Sequence, residues 1–225
     1  MRKNAKRILV VDVGGTHVKL LATGARKPRK LPSGPALTPL QMVAGVREVI
    51  SDWKFDAVSI GYPGPVRDGM PLREPVNLGS GWVGFDFEAE FGCPVRMLND
   101  AAMQAVGSYD GGRMLFLGLG TGLGSALVFE KVVAPLELAH LPYRKGRTFE
   151  EYLGRAALER FGRKKWQRHV EKVVEIFRDA FVIDQIVLGG GNVKKLERVP
   201  IGTRLGDNSH AFTGGFRMWE DFFYQ

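Results

Sequence analysis

The stretch "ILVVDVGGTHVK", residues 8–19, decides the predicted fold, because an apolar strand runs straight into a carboxylate, two glycines and a threonine. We interpret it as two strands, residues 7–13 and 18–23, joined by a tight turn at Gly14 and Gly15. A strand, a turn and a second strand form a β-hairpin. The glycine loops of the Rossmann and P-loop folds lead into a helix instead, and neither consensus fits. The segment therefore predicts a glycine hairpin of another class.

A second stretch, "RMLFLGLGTGLGSALVF" at residues 113–129, repeats this pattern. Placing Arg7 on Arg113 superposes the apolar runs and lays "DVGGT" over "GLGTG", with Gly14 on Gly120. Glycine-rich hairpins also recur by chance. The repeat nevertheless favours two related lobes that face each other across a cleft.

Helical periodicity and capping signals predict three helical segments. In "TPLQMVAGVREVISDW", Thr38 is a plausible N-cap, Pro39 occupies the first helical position, and apolar residues follow at helical spacing. Thr148 and Glu151 have the spacing of a capping box before "EYLGRAALERFG". An apolar stripe in "KKWQRHVEKVVEIFRDAF" predicts a long amphipathic helix.

Three apolar runs predict buried strands that are followed by loops or helices. "FDAVSIGYPGPV" ends in a Gly/Pro loop, and "CPVRMLNDAAMQAVGSY" indicates a strand, then Asn99 and Asp100, then a short helix. "IDQIVLGGGNVKKL" is a strand whose glycines precede a predicted helix. The fold class that we predict is α/β.

Composition indicates an ordinary globular protein. The 225 residues are 44% hydrophobic and 25% charged, and the 29 glycines exceed the usual ~7% and cluster in loops. Cys93 is alone, which excludes an intrachain disulfide and fits a reducing cytosol. The first apolar run breaks at Asp12, too early for a signal peptide, and no run reaches transmembrane length. We therefore expect a soluble cytoplasmic protein with no membrane partner.

The formal net charge is +8, and the basic residues are bunched. Clusters of like charge are commonly solvated surface, but they also attract polyanions such as a nucleotide or an inorganic phosphate chain. No recognised nucleic-acid module accompanies the charge, so no nucleic-acid partner is expected. The clusters are "RKPRK" at 26–30, "YRKGR" at 143–147, "RKKWQR" at 163–168 and "VKKLER" at 193–198.

The two glycine hairpins are candidates for phosphate binding, because glycine lets several backbone N–H groups approach one anion. Thr16 and Thr121 add hydroxyl donors. Asp12 stands where a carboxylate could hold Mg²⁺ or its waters, although an Asx turn would also explain it. The candidate glycines are Gly14, Gly15, Gly120, Gly122 and Gly124.

Two polar pairs are candidates for chemistry on a hydroxyl. Asp100 follows an apolar strand and could accept a hydroxyl proton during phosphoryl transfer, while Asn99 and Asp100 are also favoured helix N-caps. Glu137 and His140 lie three residues apart in "ELAH". A pair of this kind is often structural and gains meaning only beside other site residues.

Taken in order, "DVGGT", "ND", "GLGTGLGS", "ELAH" and "LGGGN" resemble the ROK family of sugar kinases, and the tail resembles its polyphosphate-type glucokinases. The resemblance covers nearly the whole chain. It implies a two-lobed, actin-like (ribonuclease H-like) ATPase fold with a central cleft. The N-terminal lobe would span residues 1–98 and the C-terminal lobe residues 99–225, with the last helix able to pack back on the first lobe.

The resemblance also implies roles for the candidate residues. Asp100 would be the general base, and Asp12 would hold Mg²⁺, through water. The donor phosphates would lie on Asp12, Gly14, Gly15, Thr16, Gly120, Thr121, Gly122 and Gly124, with Gly189, Gly190, Gly191 and Asn192 forming a nucleotide or donor loop. Sugar hydroxyls would be held by Asn99, Asp100, Glu137, His140 and Glu150.

The chain departs from the family pattern after "ELAH". The family's cysteine-rich zinc motif is replaced by "LPYRKGRTFEEYLG", so we expect no zinc. Ala139 stands where the family has glycine, and the altered spacing leaves open whether Glu150 or Glu151 faces the sugar. The family also suggests a homodimer.

The resulting hypothesis is a hexokinase- or glucokinase-type enzyme that transfers a phosphoryl group to the 6-hydroxyl of glucose or a similar hexose. Polyphosphate and ATP both remain open as donors, with Mg²⁺ as cofactor. The alternatives are a sugar-binding regulator, a degenerate ROK kinase and an actin-like assembly ATPase. The chain offers no room for a helix-turn-helix before Ile8, which weighs against a regulator of the DNA-binding type.

Overall fold

The computed structural model describes residues 6–220. Its strands are β1 Ile8–Val13, β2 His17–Ala22, β3 Arg29–Pro32, β4 Ala57–Tyr62, β5 Val66–Arg67, β6 Met70–Pro71, β7 Val95–Asn99, β8 Met114–Leu119, β9 Leu123–Phe129, β10 Val132–Leu136, β11 Pro142–Arg144, β12 Arg147–Thr148, β13 Gln185–Gly189 and β14 Thr203–Leu205. Its α-helices are α1 Pro39–Val49, α2 Phe87–Phe91, α3 Asp100–Ser108, α4 Glu150–Leu153, α5 Arg155–Phe161, α6 Arg163–Phe181 and α7 His210–Arg217, and 3₁₀-helices span Leu138–His140 and Gly191–Lys195.

Two five-stranded sheets share one topology. Their strand orders are β3-β2-β1-β4-β7 and β10-β9-β8-β13-β14. In each sheet a three-stranded antiparallel meander is followed by two strands that pair in parallel. The alignment of Arg7 with Arg113 places Ile8 on Met114 and Val13 on Leu119, which are the bounds of β1 and β8. The repeated hairpin read from the sequence is thus present as two equivalent sheets.

The capping signals form as expected. The Thr38 hydroxyl accepts from Gln41 N at 3.3 Å, and Thr38 N donates to the Gln41 side chain at 3.0 Å, which completes a capping box at α1. Thr148 and Glu151 make the equivalent pair of bonds, although α4 is only four residues long.

Two segments differ from the expectation. The basic connection after the first hairpin forms β3, because backbone pairing with β2 extends the meander there. After β13 the chain enters a 3₁₀-helix rather than an α-helix. Gly190, with φ +84°, redirects the backbone before that helix, and Pro200 follows soon after. A glycine in this conformation does not continue into a regular helix start.

Helix α3 packs against both sheets, so the cores are joined at its first turn. Ala101 lies against Gly124 of β9, and Met103 lies against Gly61 of β4. Helix α7 packs on α3 so closely that a Cβ at Gly107 would overlap the backbone of α7. Helix α7 also contacts β1. The residue that begins α3, Asp100, therefore lies where the two sheets approach each other.

Candidate active site

The register of the first sheet brings Asp12 and Asp100 to one edge. Asp12 pairs with Gly61 of β4, and Gly61 pairs with Leu98 of β7. Strands β1, β4 and β7 are parallel, so their carboxyl ends meet at the same edge. Asp100 follows β7 directly. The sheet thus gathers the two carboxylates although they are far apart in sequence.

Asp12 is almost buried, with 9% of its surface exposed. The Lys19 ammonium, opposite it in the hairpin, lies 3.3 Å from Asp12 Oδ2 and offsets part of its charge. Among residues 6–220 no cluster of three or more His, Cys, Asp or Glu side chains could hold a metal ion. Asp12 fits Mg²⁺ as a single carboxylate ligand, because Mg²⁺ commonly keeps several waters and takes further ligands from phosphates.

Burial, together with the nearby Asp12 carboxylate and to a lesser extent Glu137, raises the pKa of Asp100 to about 7, and the hydrogen bond from Ala101 N offsets part of this effect. Ala101 N donates to Asp100 Oδ1 at 2.7 Å. Asp100 can therefore exist in both protonation states near neutral pH. This is the range in which a carboxylate is an effective general base.

Asn99 is the N-cap of α3, which confirms the capping interpretation. Its Oδ1 accepts from Ala101 N at 3.0 Å and from Ala102 N at 3.2 Å, and its Nδ2 donates to Gly64 O at 3.0 Å. The amide oxygen is therefore committed to the helix and one N–H to the Gly64 loop. Contact with a sugar would fall to the second N–H, and that role stays a prediction.

The first glycine turn is held by hydrogen bonds within the hairpin and from Ser33, the residue that follows β3. Gly14 N donates to His17 O at 3.1 Å, and Ser33 Oγ donates to Gly14 O at 2.6 Å. Ser33 N donates to Thr16 O at 3.0 Å. Gly15 and Thr16 remain exposed at the tip. The tip is therefore fixed in place while its outer face is accessible to a ligand.

The second glycine turn is fixed by three neighbouring segments. Asn192 Nδ2 donates to Gly120 O at 2.7 Å, which joins the "LGGGN" loop, including Gly189, Gly190 and Gly191, to this turn. Arg155 N, at the start of α5, donates to the carbonyls of Gly120 and Thr121 at 3.1 Å each. Glu150 Oε2 accepts from Leu123 N at 3.2 Å. The structure thus brings together the predicted second phosphate loop and the predicted donor loop.

The exposed side chains of Glu137 and His140 lie within ion-pair distance of each other at the 3₁₀-helix Leu138–His140. His140 Nε2 lies 3.4 Å from Glu137 Oε2. The helix is tied to β9 by Ser125, whose hydroxyl donates to Leu136 O at 2.8 Å and accepts from Leu138 N at 3.3 Å. Glu137 is near enough to raise the pKa of Asp100, so this pair borders the carboxylate site.

The sequence left open whether Glu150 or Glu151 faces the sugar, and in the structure each of them bonds to a nearby residue. Glu150 contacts the second glycine turn through Leu123 N, whereas Glu151 bonds Thr148 N at 2.8 Å and lies 4.0 Å from Arg147. Neither bond involves the Glu137 and His140 pair. Which glutamate reaches a sugar therefore stays a prediction.

Sequence reasoning missed two residues at this site. Lys19 could have been found, because pairing the predicted strands 7–13 and 18–23 from their turn ends, with Val13 opposite Val18, places Lys19 opposite Asp12. Asn77 had no such signal: it comes from the loop before α2, and its side chain lies against Gly15. Only the folded chain brings that loop to the first glycine turn.

No helix within residues 6–220 is long and apolar enough to cross a membrane.

A family model described as "ROK family" matches residues 8–134. Polyphosphate glucokinase of Mycobacterium tuberculosis H37Rv is 28% identical over 215 residues, which cover 85% of this chain and 80% of that protein. The Mycobacterium leprae polyphosphate glucokinase is also 28% identical, over 84% of this chain, and this chain spans 64% of its length.

Solved structures share the fold. The inorganic polyphosphate/ATP-glucomannokinase from Arthrobacter sp. strain KM superposes with a TM-score of 0.80 at 22% identity, covering 95% of this chain and 98% of that one. A ROK family glucokinase from Streptomyces griseus, in complex with glucose and AMPPNP, gives a TM-score of 0.77 at 16% identity, covering 94% and 98%.

Proposed function

The chain belongs to the ROK family and has its two-lobed, actin-like fold, and on this basis we propose that it is a sugar kinase acting on the 6-hydroxyl of glucose or a related hexose. The observation that supports this most directly is the position of Asp100. It lies between two glycine hairpins, beside Asp12, with a pKa raised to about 7. The named relatives phosphorylate or bind hexoses, which agrees with the same chemistry here.

In the proposed reaction Asp100 accepts the proton of the sugar hydroxyl while the hydroxyl oxygen attacks the terminal phosphorus of the donor. The bond from that phosphorus to the bridging oxygen breaks, and the donor, shortened by one phosphoryl group, leaves with the bridging oxygen and its electron pair. The exposed tips of the two glycine turns, Gly15 and Thr16 in the first and Thr121 in the second, offer backbone N–H groups to the donor phosphates, and the half-buried Gly14, Gly120, Gly122 and Gly124 beside them let the phosphates approach the backbone. Bound Mg²⁺ would supply positive charge to those phosphates, with Asp12 as its protein ligand, directly or through water. Lys19 limits the repulsion between Asp12 and the donor.

The sugar would lie on the side of Asp100 that faces Glu137 and His140. Both side chains are largely exposed, at 54% and 67%, and can form hydrogen bonds to ring hydroxyls. Asn99 can contribute its second N–H. Closure of the two lobes, residues 1–98 and 99–225, would exclude water and so limit hydrolysis of the donor.

The donor is either ATP or polyphosphate, and both are supported by the relatives, one of which is named for both. The net charge of +8 suits an extended polyanion. We propose a homodimer in the cytoplasm as the working assembly, on the family resemblance.

The deciding experiment is a coupled glucose 6-phosphate assay with Mg²⁺, with ATP in one series and long-chain polyphosphate in another, repeated with mannose, fructose and N-acetylglucosamine. Turnover with glucose and either donor would support the proposal, and the series would identify the donor. If the folded protein shows no turnover with any combination of donor and sugar but binds glucose in calorimetry, the proposal is wrong and the chain is a non-catalytic sugar-binding protein.

A further inference from the structure

The loop of residues 73–83, here called the Asn77 loop, is anchored at both ends. Tyr62 OH donates to Arg73 O at 2.7 Å. Near the other end, the Glu74 carboxylate accepts from Trp82 N at 3.0 Å and from Val83 N at 3.2 Å. Trp82 is fully buried against Tyr62, with ring centroids 5.7 Å apart. The loop therefore has a fixed position relative to β4 and to the carboxyl edge of the first sheet.

Between these anchors, one polar side chain faces the first glycine turn. A Cβ placed on Gly15 would lie 3.3 Å from Asn77 Cβ and 4.0 Å from both Asn77 Cγ and Nδ2. The Asn77 amide is thus in the same space as the exposed outer face of that turn. Asn77 is itself exposed, and its side chain has no hydrogen-bond partner among residues 6–220.

The flanking residues show that this placement is specific to residue 77. Leu78 is buried, at 8% exposure, and packs in the hydrophobic core of the first sheet, whereas Val76 is 94% exposed. The loop thus presents Asn77 to the turn while its neighbours point into the core or into solvent. An unpaired amide on a loop that is anchored at both ends, beside a turn that offers backbone N–H groups, forms an additional hydrogen-bond donor for an anion.

We propose that Asn77 is a donor-binding residue: its side-chain N–H donates a hydrogen bond to a phosphoryl oxygen of the donor held at the first glycine turn. This inference rests on the proposed function. An amide suits the position because it donates without adding a charge. A carboxylate of the same shape has no N–H to donate, and its negative charge would repel the phosphates.

The test uses three variants and two readouts. Asn77→Ala removes the donor, and Asn77→Asp replaces it with a negative charge of the same shape. Val76→Asp adds the same charge one residue away, where the side chain faces solvent, and is the matched control. The readouts are steady-state kinetics with each substrate varied in turn, and calorimetric binding of magnesium tripolyphosphate without sugar. Thermal unfolding checks that each variant is folded.

We expect Asn77→Ala to lower kcat/KM for the donor about tenfold, as for the loss of one hydrogen bond to a charged group. We expect about a 100-fold loss for Asn77→Asp, with the KM for glucose changed by less than about threefold. Tripolyphosphate affinity should weaken in the same order, and Val76→Asp should behave like the wild type.

Three results would overturn the inference. Equal effects of Asn77→Asp and Val76→Asp would mean that the added negative charge acts through long-range electrostatics and not through a lost hydrogen bond. A change confined to the KM for glucose would mean that Asn77 contacts the sugar and not the donor. Unchanged kinetics and tripolyphosphate binding in folded Asn77→Asp would remove the contact altogether. Failure of the proposed function would look different, because the wild type itself would then show no turnover, while tripolyphosphate binding would still report on Asn77.

Discussion

The Glu150 carboxylate fills the space beside Gly122 that a side chain at that position would need. The same carboxylate accepts a hydrogen bond from Leu123 N at 3.2 Å. Glu150 therefore supports the second glycine turn from the side of α4. The family resemblance implies a contact of Glu150 with the sugar, and the two roles can be separated by substitution.

Gly122→Ala should displace Glu150, because the new methyl group would overlap Oε2. Since Glu150 is a flexible side chain, it can rotate away, and the expected cost is the lost bond to Leu123 N, about 1 kcal/mol of unfolding free energy. The midpoint temperature of thermal unfolding should fall by about 2–4 °C. Gly120→Ala is the matched control, because a Cβ at Gly120 meets nothing within 4 Å. Equal losses in both variants would contradict this account.

Glu150→Gln should keep the unfolding temperature, because the amide oxygen can still accept from Leu123 N. Glu150→Ala should lower it by the equivalent of about 1 kcal/mol and should raise the KM for the donor rather than that for glucose. Glu151→Gln is the parallel variant, since Glu151 bonds Thr148 instead. A rise of more than about tenfold in the KM for glucose in Glu150→Gln would assign Glu150 to the sugar.

Asp100→Asn should lower kcat by about 10²–10⁴-fold, because the amide cannot accept the hydroxyl proton. In the wild type, kcat/KM for glucose should fall about tenfold per pH unit below pH 7, since the pKa of Asp100 is raised to about 7. Rate profiles between pH 5 and pH 9 test this. The acidic limb should move to lower pH in Asp12→Asn, which removes one cause of the raised pKa. Near-normal turnover of Asp100→Asn would rule out its role as base.

The same raised pKa predicts the pH dependence of stability. The pKa of an Asp in the unfolded chain is ~3.9, whereas that of Asp100 in the fold is raised to about 7, so the folded state binds more protons between these values. The contribution of Asp100 to stability should therefore fall as pH rises from about 4 to 7 and stay constant above. Without Mg²⁺, Asp100→Asn should gain stability over the wild type through that window. Parallel denaturation curves for the two proteins at all pH values would contradict it.

Asp12→Asn should raise the Mg²⁺ concentration needed for half-maximal activity by about tenfold or more, because the neutral amide is a weaker ligand for a hard cation. Activity is measured in a Mg²⁺ titration at fixed donor. Asp68→Asn is the control, since the Asp68 side chain is 93% exposed in the β5–β6 turn. A curve for Asp12→Asn that overlies that of the wild type would mean that no metal is held there.

Local patterns in the sequence predicted much of the fold. The two glycine hairpins, the N-cap at Thr38, the capping box of Thr148 and Glu151 and the buried strands that end near Gly61 and Asn99 depend on neighbouring residues only. The 3₁₀-helix after β13 was missed, because the backbone angles of Gly190 depend on its packing against Leu119. β3 was missed because a short basic segment becomes a strand only when β2 offers it a free edge.

The sequence by itself determined the two hairpins, their repeat and the presence of Asp12, Asp100 and the glycines that surround them, because these follow from periodicity and residue type. Only the tertiary structure decided which side chains meet. The register of β1, β4 and β7 brings Asp12 toward Asp100, the bond from Leu123 N directs Glu150 to the second turn, and the anchored loop brings Asn77 to Gly15. Such contacts join residues that are distant in the chain, so they depend on packing between elements and on burial, neither of which a local pattern contains.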